Sequence, residues 1–293
     1  MSDTWPRRVR ESTLVRLGGV LTPLSALVYE PRQKRGTALC VHEFAGTGRD
    51  FEPLANVLVE HGFKVVCPDM FGRGQGAHAA GPERYTVASY MRQLTALLTE
   101  HADPQTMLVG CGWGALLCLL LQTLTGYRPG ALVLADLQWH WSVDGDPGYQ
   151  LLKALAGRGF ADEAEGVGEL LAFGGMAGVA PLWARPLAAG RLAAQADGRI
   201  VLAADPQLVP AMRRFSRGNF DLSVLLGRVA ADATLLWGRA LAPAEREALA
   251  GAAGRKLIDR LNPLGSVRFT EVNQVRPVLD ALGQMAGTAP VVA

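Results

Sequence analysis

The sequence predicts an α/β protein with a mostly parallel central sheet flanked by helices on both faces, interrupted by an inserted helical segment. Three observations predict it. Up to Asp136, short β-rich runs alternate with helix-length amphipathic segments. Several of those runs, "TMLVGC" and "ALVLAD" among them, are apolar without alternation, as strands covered on both faces must be. From Gln138 to Gly227 the strand signals weaken and Gly, Ala and Pro accumulate, after which β-rich runs resume.

In chain order, "SALVYE" (Ser25–Glu30) and "TALCVH" (Thr37–His42) are expected as neighbouring strands. "DFEPLANVLVEHG" carries apolar residues at helical spacing, and "FKVVCPD" (Phe63–Asp69) is the next strand. "RYTVASYMRQLTALLTEH" predicts a second helix. "TMLVGC" and "ALVLAD" (Ala131–Asp136) predict two more strands, and the almost unbroken apolar run "GALLCLLLQTL" between them predicts a helix buried on most sides. After the insertion, "ATLLWG" (Ala233–Gly238) and "VRFTEV" (Val267–Val272) read as strands and "RPVLDALGQMAG" as a closing helix. The expected division is a core of residues 1–137 and 228–293 with the helical insertion at 138–227. No internal repeat is visible.

The 293 residues suffice for a sizeable core, 49% of them are hydrophobic, and 29 basic side chains face 27 acidic ones. That balance gives no broad field for nucleic acid or an anionic membrane, so a small-molecule ligand or a protein partner is expected, and homo-oligomer formation is compatible with it. No signal-peptide core opens the sequence and no apolar run is of transmembrane length, so a cytoplasmic location is expected. Cys40, Cys67, Cys111 and Cys118 lie inside apolar strand or helix patterns without metal spacing. They are expected to be reduced core residues, with no metal and no cofactor.

"CVHEFAGTGRDFEPLANVL", "VVCPDMFGRGQG", "LVGCGWGALLCLLL" and "ALVLADL", in that order, resemble the α/β-hydrolase superfamily, and its lid-bearing esterase-like members in particular. "DGRIVLAADPQLVPAMRR" is similar to their lid segment. The resemblance implies an α/β-hydrolase fold in which the insertion forms a lid. It also implies a strand-to-helix elbow, GxSxG, whose glycines allow close backbone approach around an exposed nucleophile. Gly110 and Gly114 bracket Gly112, so the nucleophile position holds no reactive atom. The implied general base is a histidine after the final strand, yet no histidine follows His140, and Val275 stands at the expected place in "VNQVRPVLD". "RALAPAE", after "TLLWG", has no carboxylate before Glu245. No catalytic residue of the usual triad is therefore expected, and this departure from the family pattern points to a pseudoenzyme acting by ligand binding or as a partner or regulatory subunit.

The expected ligand pocket comprises His42, Glu43, Phe44, Gly112, Trp113, Asp136 and Trp139. A helix starting near Trp113 directs its positive end at that pocket. Phe44 stands at the family's oxyanion-loop position, and Glu43 replaces the glycine usual beside it, which disfavours an anionic ligand. An alternative is a cofactor-free hydrolase, lyase or isomerase using Asp136 and His140 as an acid/base pair, since Asp136 ends a strand at the ligand-binding edge of the sheet. Cys111 as a shifted nucleophile would put Val109 and Trp113 where bulk is least tolerated. "GCGWGA" also matches a dinucleotide fingerprint, but Trp113 would crowd a pyrophosphate and the motif does not open the first βαβ unit.

Overall fold

The computed structural model describes residues 7–17, 19–137, 140–215, 220–228, 233–238, 243, 247, 255–259 and 267–285. Its centre is an eight-stranded sheet made of β1 (Arg7–Leu17), β2 (Val20–Glu30), β3 (Gly36–Val41), β4 (Phe63–Asp69), β5 (Thr106–Cys111), β6 (Ala131–Ala135), β12 (Ala233–Trp237) and β13 (Arg255–Asp259). The spatial order is β1-β2-β4-β3-β5-β6-β12-β13. From β4 to β13 the strands run parallel, whereas β1–β2 and β2–β4 are antiparallel. Every residue of β3, β5, β6 and β12 is buried, which is why these runs are apolar on both faces.

Two hydrophobic layers sandwich the sheet. One packs Leu39, Val41 and Leu108 against α2 (Val87–His101) and α3 (Trp113–Thr125). The other packs Cys40, Met107 and Val109 against α1 (Glu52–Glu60) and the last helix, α9 (Val272–Met285). The alternation of neighbouring residues between the layers is the period-two geometry of a strand. Thr86 caps α2 by accepting the N–H of Ser89. Helix α3 ends at Gly126, whose left-handed backbone (φ 73°) suits glycine.

Two expectations about the sheet are corrected, and a strand is added. Ser25–Glu30 and Thr37–His42 are not neighbours, because β4 lies between β2 and β3 and the chain crosses over it. A strand also precedes them, since β1 forms an antiparallel hairpin with β2 in the register Arg7↔Glu30 to Leu17↔Val20. Val267–Val272 is not a strand: α9 starts at Val272, and Phe269 has φ 54°, which a strand cannot hold. The final strand is instead "RKLID", parallel to β12. Its short apolar run follows the alanine-rich "EALAGAAG" and so reads as a continuing helix.

The segment between β6 and β12 is not purely helical. Antiparallel β7 (His140–Trp141) and β11 (Phe220–Asp221) pair near its two ends. Between them come α4 (Pro147–Leu155), β8 (Gly159–Phe160), α5 (Glu163–Ala172), α6 (Pro181–Ala189), β9 (Leu192–Ala194), β10 (Ile200–Leu202) and α7 (Leu208–Phe215); α8 (Leu222–Gly227) follows. β8, β10 and β9 form a small antiparallel sheet. Strands of two or three residues are too short to leave an alternating pattern in an Ala/Gly-rich sequence. Backbone bonds fasten this segment to the core: Gly74 N–H donates to the Ala203 carbonyl at 2.7 Å and Asp205 N–H to the Gly72 carbonyl at 2.8 Å.

Candidate functional site

At the carboxyl end of β5 the chain turns sharply into α3 through Gly112, at φ 53° and ψ −118°. The three glycines of the turn have different physical reasons. A Cβ on Gly114 would lie 2.0 Å from the Val41 carbonyl oxygen, and one on Gly110 would lie 2.5 Å from Ala115 Cα, so neither position has room. A Cβ on Gly112 would meet nothing nearer than Glu43 Cβ at 3.4 Å. At Gly112 the constraint is conformational, because φ is positive.

Glu43 is the side chain facing this turn, and it is held by two arginines. Its Oε1 is 3.0 Å from Arg191 Nη2 and its Oε2 is 2.9 Å from Arg268 Nη1. Arg191 grips Asp50 in turn, with Nη2 to Oδ2 at 2.7 Å and Nε to Oδ1 at 3.1 Å, and donates to the Gly175 carbonyl at 3.3 Å. Arg191 is the most buried of the four at 3% exposure, while Arg268, Glu43 and Asp50 each keep a small exposed fraction. Burial pushes the Glu43 carboxyl up, but Arg268 and Arg191 outweigh it and hold the pKa below the ordinary value. Two cations and two carboxylates balance, which is the condition for keeping such a network out of water.

Arg268 reaches the site from the loop before α9, next to Phe269, whose backbone is left-handed at φ 54°. The ring of that strained residue is buried in the layer of α1 and α9, stacked on Phe51 at 5.9 Å, while the Arg268 guanidinium lies at the elbow. The guanidinium also lies 3.4 Å from Cys111 Sγ. Val275 is not the residue this segment presents, contrary to expectation: it sits in the first turns of α9, buried in the layer of α1 and α9. Because Val267–Val272 is not a strand, Val275 falls within α9 rather than in a loop that follows a final strand.

The remaining expected site residues come together at the carboxyl edge of the sheet, but several are structural. His42 is 1% exposed, and both ring nitrogens are engaged: Nε2 accepts the Met70 N–H at 3.0 Å and Nδ1 donates to the Glu43 carbonyl at 2.7 Å. Burial and the charge of Arg73 lower its pKa, so the ring is a neutral brace. Phe44 is buried edge-on to Trp113 at 5.9 Å, and its carbonyl accepts Arg73 Nε at 3.0 Å. Trp113 is fully buried, with a second edge contact to Tyr90 at 6.1 Å. Phe44 and Trp113 therefore pack the core with their side chains rather than line a ligand pocket.

Asp136 ends β6 with a left-handed backbone (φ 50°). Its carboxylate accepts the Val267 N–H at 2.6 Å and the Gly238 N–H at 3.3 Å, tying the end of β6 to the loop before α9 and to the end of β12. Burial raises its pKa against the pull of Arg268. These bonds commit the group expected to orient a base to holding backbone instead. Trp139 lies outside the described residues, and the expected partnership of Asp136 with His140 lies outside the described side chains. Cys111 is buried, donates to the Val267 carbonyl at 3.4 Å, and has its thiol pKa pushed up by burial, the opposite of an activated nucleophile.

A cavity of about 390 Å³ opens between α1, α6 and α9, next to the Arg268 loop, lined by Val57, Trp183, Phe269, Val275, Leu279 and Arg276. A larger one, about 570 Å³, lies at the hairpin and α2, lined by Leu17, Thr22, Phe71 and Arg92 among others. Sequence reading missed Arg268, Arg191 and Asp50. Only Arg268, a charged residue between two apolar ones in the loop searched for a base, left a local signal.

The sheet order and the glycine elbow define an α/β-hydrolase-type fold. Residues 38–123 match the family model of the alpha/beta hydrolase fold. The chain is 30% identical over 99 residues to a 3-hydroxybutyrate-oligomer hydrolase of Cupriavidus necator, covering 34% of this chain and 33% of that protein. The matched stretch thus spans a third of the length of that relative. An α/β hydrolase from Novosphingobium aromaticivorans is similar at a TM-score of 0.75 and 23% identity, over 94% of this chain and 98% of that one. A crystal structure from Rickettsia typhi is similar at 0.78 and 12% identity, over 95% and 99%. The chain has the α/β-hydrolase fold, and over residues 38–123 it is similar in sequence to the alpha/beta hydrolase family. Among the described residues no helix is long and apolar enough to cross a membrane.

Proposed function

We propose that the protein is a catalytically inactive member of this superfamily that works by binding a small, largely apolar ligand. The observation that carries this reading is Gly112 at the elbow, with the Glu43 ion-pair network over it. Acyl transfer needs an attacking atom and a base to take its proton, and the elbow offers a glycine, a neutral bracing His42 and a buried high-pKa thiol. Arg268, which reaches the elbow from the loop before α9, remains charged and cannot act as a base.

The cavity of about 390 Å³ beside Arg268 is the ligand site in this reading. Trp183, Phe269 and Leu279 supply apolar wall, and Arg276 supplies a polar end. The inserted segment at 138–227 serves as a lid that contributes Trp183, over a core of 1–137 and 228–293. Four buried unpaired cysteines suit a reducing compartment, and a cytoplasmic location is part of the proposal.

Purified protein should hydrolyse p-nitrophenyl acetate or butyrate no faster than a heat-denatured control and should take no label from a fluorophosphonate. An apolar fluorescent probe should bind the parent and bind Trp183→Ala more weakly. Turnover abolished by Asp136→Ala or His140→Ala would overturn the inactive reading, as would label on Cys111. Equal probe binding by Trp183→Ala would remove the cavity from it.

A further inference from the structure

We propose that Glu11, Glu100 and His101 form a site for a divalent transition cation of the zinc class, clipping the edge strand β1 to the carboxyl end of α2. Each side chain offers one ligand atom, and the three atoms lie within 4.8 Å of one another. The anchor is His101. Its side chain is 5% exposed, and its Nε2, although buried, has no hydrogen-bond partner. Glu11 Oε2 is 3.8 Å away, too far for a hydrogen bond.

A buried imidazole nitrogen normally finds a partner, because leaving it unpaired forfeits hydration without compensation. A cation between Nε2 and the two carboxylates supplies one. Burial, aided by the charge of Lys64, lowers the His101 pKa. Lys64 is itself paired with Glu30 at 3.0 Å and does not compete for Glu11.

The backbone arranges the carboxylates. Glu11 and Thr13 lie on the same face of β1, and the Thr13 hydroxyl donates to Glu100, so this face of the strand meets the end of α2. Two carboxylates neutralise a divalent cation, and the imidazole selects zinc, cobalt or nickel over magnesium and calcium. Three protein ligands leave a tetrahedral ion one position for water. Glu100 is exposed, which gives the ion an entry path. In the sheet β1 stands four places from β5, so the role is a clip on the fold and is separate from the elbow.

The test uses untagged protein, treated with chelator and returned to chelator-free buffer, then titrated with Zn²⁺ and with Co²⁺. The expected result is one ion per chain in the micromolar range, visible Co²⁺ bands typical of four or five ligands, and a rise in Tm. Glu100→Gln should weaken Zn²⁺ binding at least ~10-fold and His101→Gln more, while His78→Gln, an exposed histidine elsewhere, should leave it unchanged. No saturable binding by the parent overturns the proposal, as does binding that Glu100→Gln leaves unchanged. If His101→Gln does not fold, the exposed Glu100→Gln together with the parent Co²⁺ spectrum decides the matter.

Discussion

Glu43 Oε2 and Arg268 Nη1 are 2.9 Å apart, which joins the loop after β3 to the loop before α9 directly beside Gly112. The pair closes the space above the turn with fixed charge. Arg191, from the inserted segment, completes the closure from the other side at 3.0 Å. A buried network of this kind contributes less to net stability than to holding one arrangement, since desolvation offsets much of the attraction.

Substitution at the elbow separates conformational strain from collision. Gly112→Ser and Gly112→Ala should each lower stability by about 1–2 kcal/mol, from positive φ alone. Gly114→Ala, whose Cβ would sit 2.0 Å from a backbone oxygen, should prevent folding. Gly112→Ser should also remain without esterase activity. Denaturant melts of the three variants with an ester assay check this; brisk turnover by Gly112→Ser would reveal a base at the site, and an unchanged Tm would mean that φ carries no strain.

Glu43→Gln should destabilise the fold by about 3–5 kcal/mol, because two buried guanidinium groups then lose the carboxylate that pairs with both. The pH dependence has a definite sign. The folded pKa of Glu43 lies below its ordinary value, so its contribution is fully present above the unfolded pKa of about 4.3 and is lost as pH falls through the folded pKa. Stability measured from pH 7 to pH 3 should fall more steeply in the parent than in Glu43→Gln. Parallel curves would show that Glu43 is not coupled to the arginines in solution.

Asp136→Ala should cost about 2–3 kcal/mol, since it strands the Val267 and Gly238 N–H groups and places alanine at positive φ. Asp136→Asn keeps an acceptor and tolerates that backbone, so it should cost less than half as much. Equilibrium unfolding of the two variants gives the comparison. Equal losses would mean that the charge, rather than the bracing of the Val267 and Gly238 N–H groups, is what the position supplies.

The sequence by itself determined the fold class, the strands β3 to β6, the helices between them and the vacancy at Gly112, because each is written in contiguous residues: unbroken apolar runs, helical spacing and glycines two apart. Local patterns could not place β13, hidden behind an alanine-rich run, nor the order in which β4 slips between β2 and β3. Tertiary structure alone decided what fills the site. Arg191 and Glu43 are 148 residues apart in the chain, and an arginine in an Ala/Gly-rich insertion carries no sign of the carboxylates it will meet. Asp136 likewise reads as a candidate acid until the fold shows its oxygens spent on two backbone N–H groups from β12 and the loop before α9. Periodicity is a property of neighbours along the chain, whereas charge pairing at a site depends on which distant segments the packing of the core brings together.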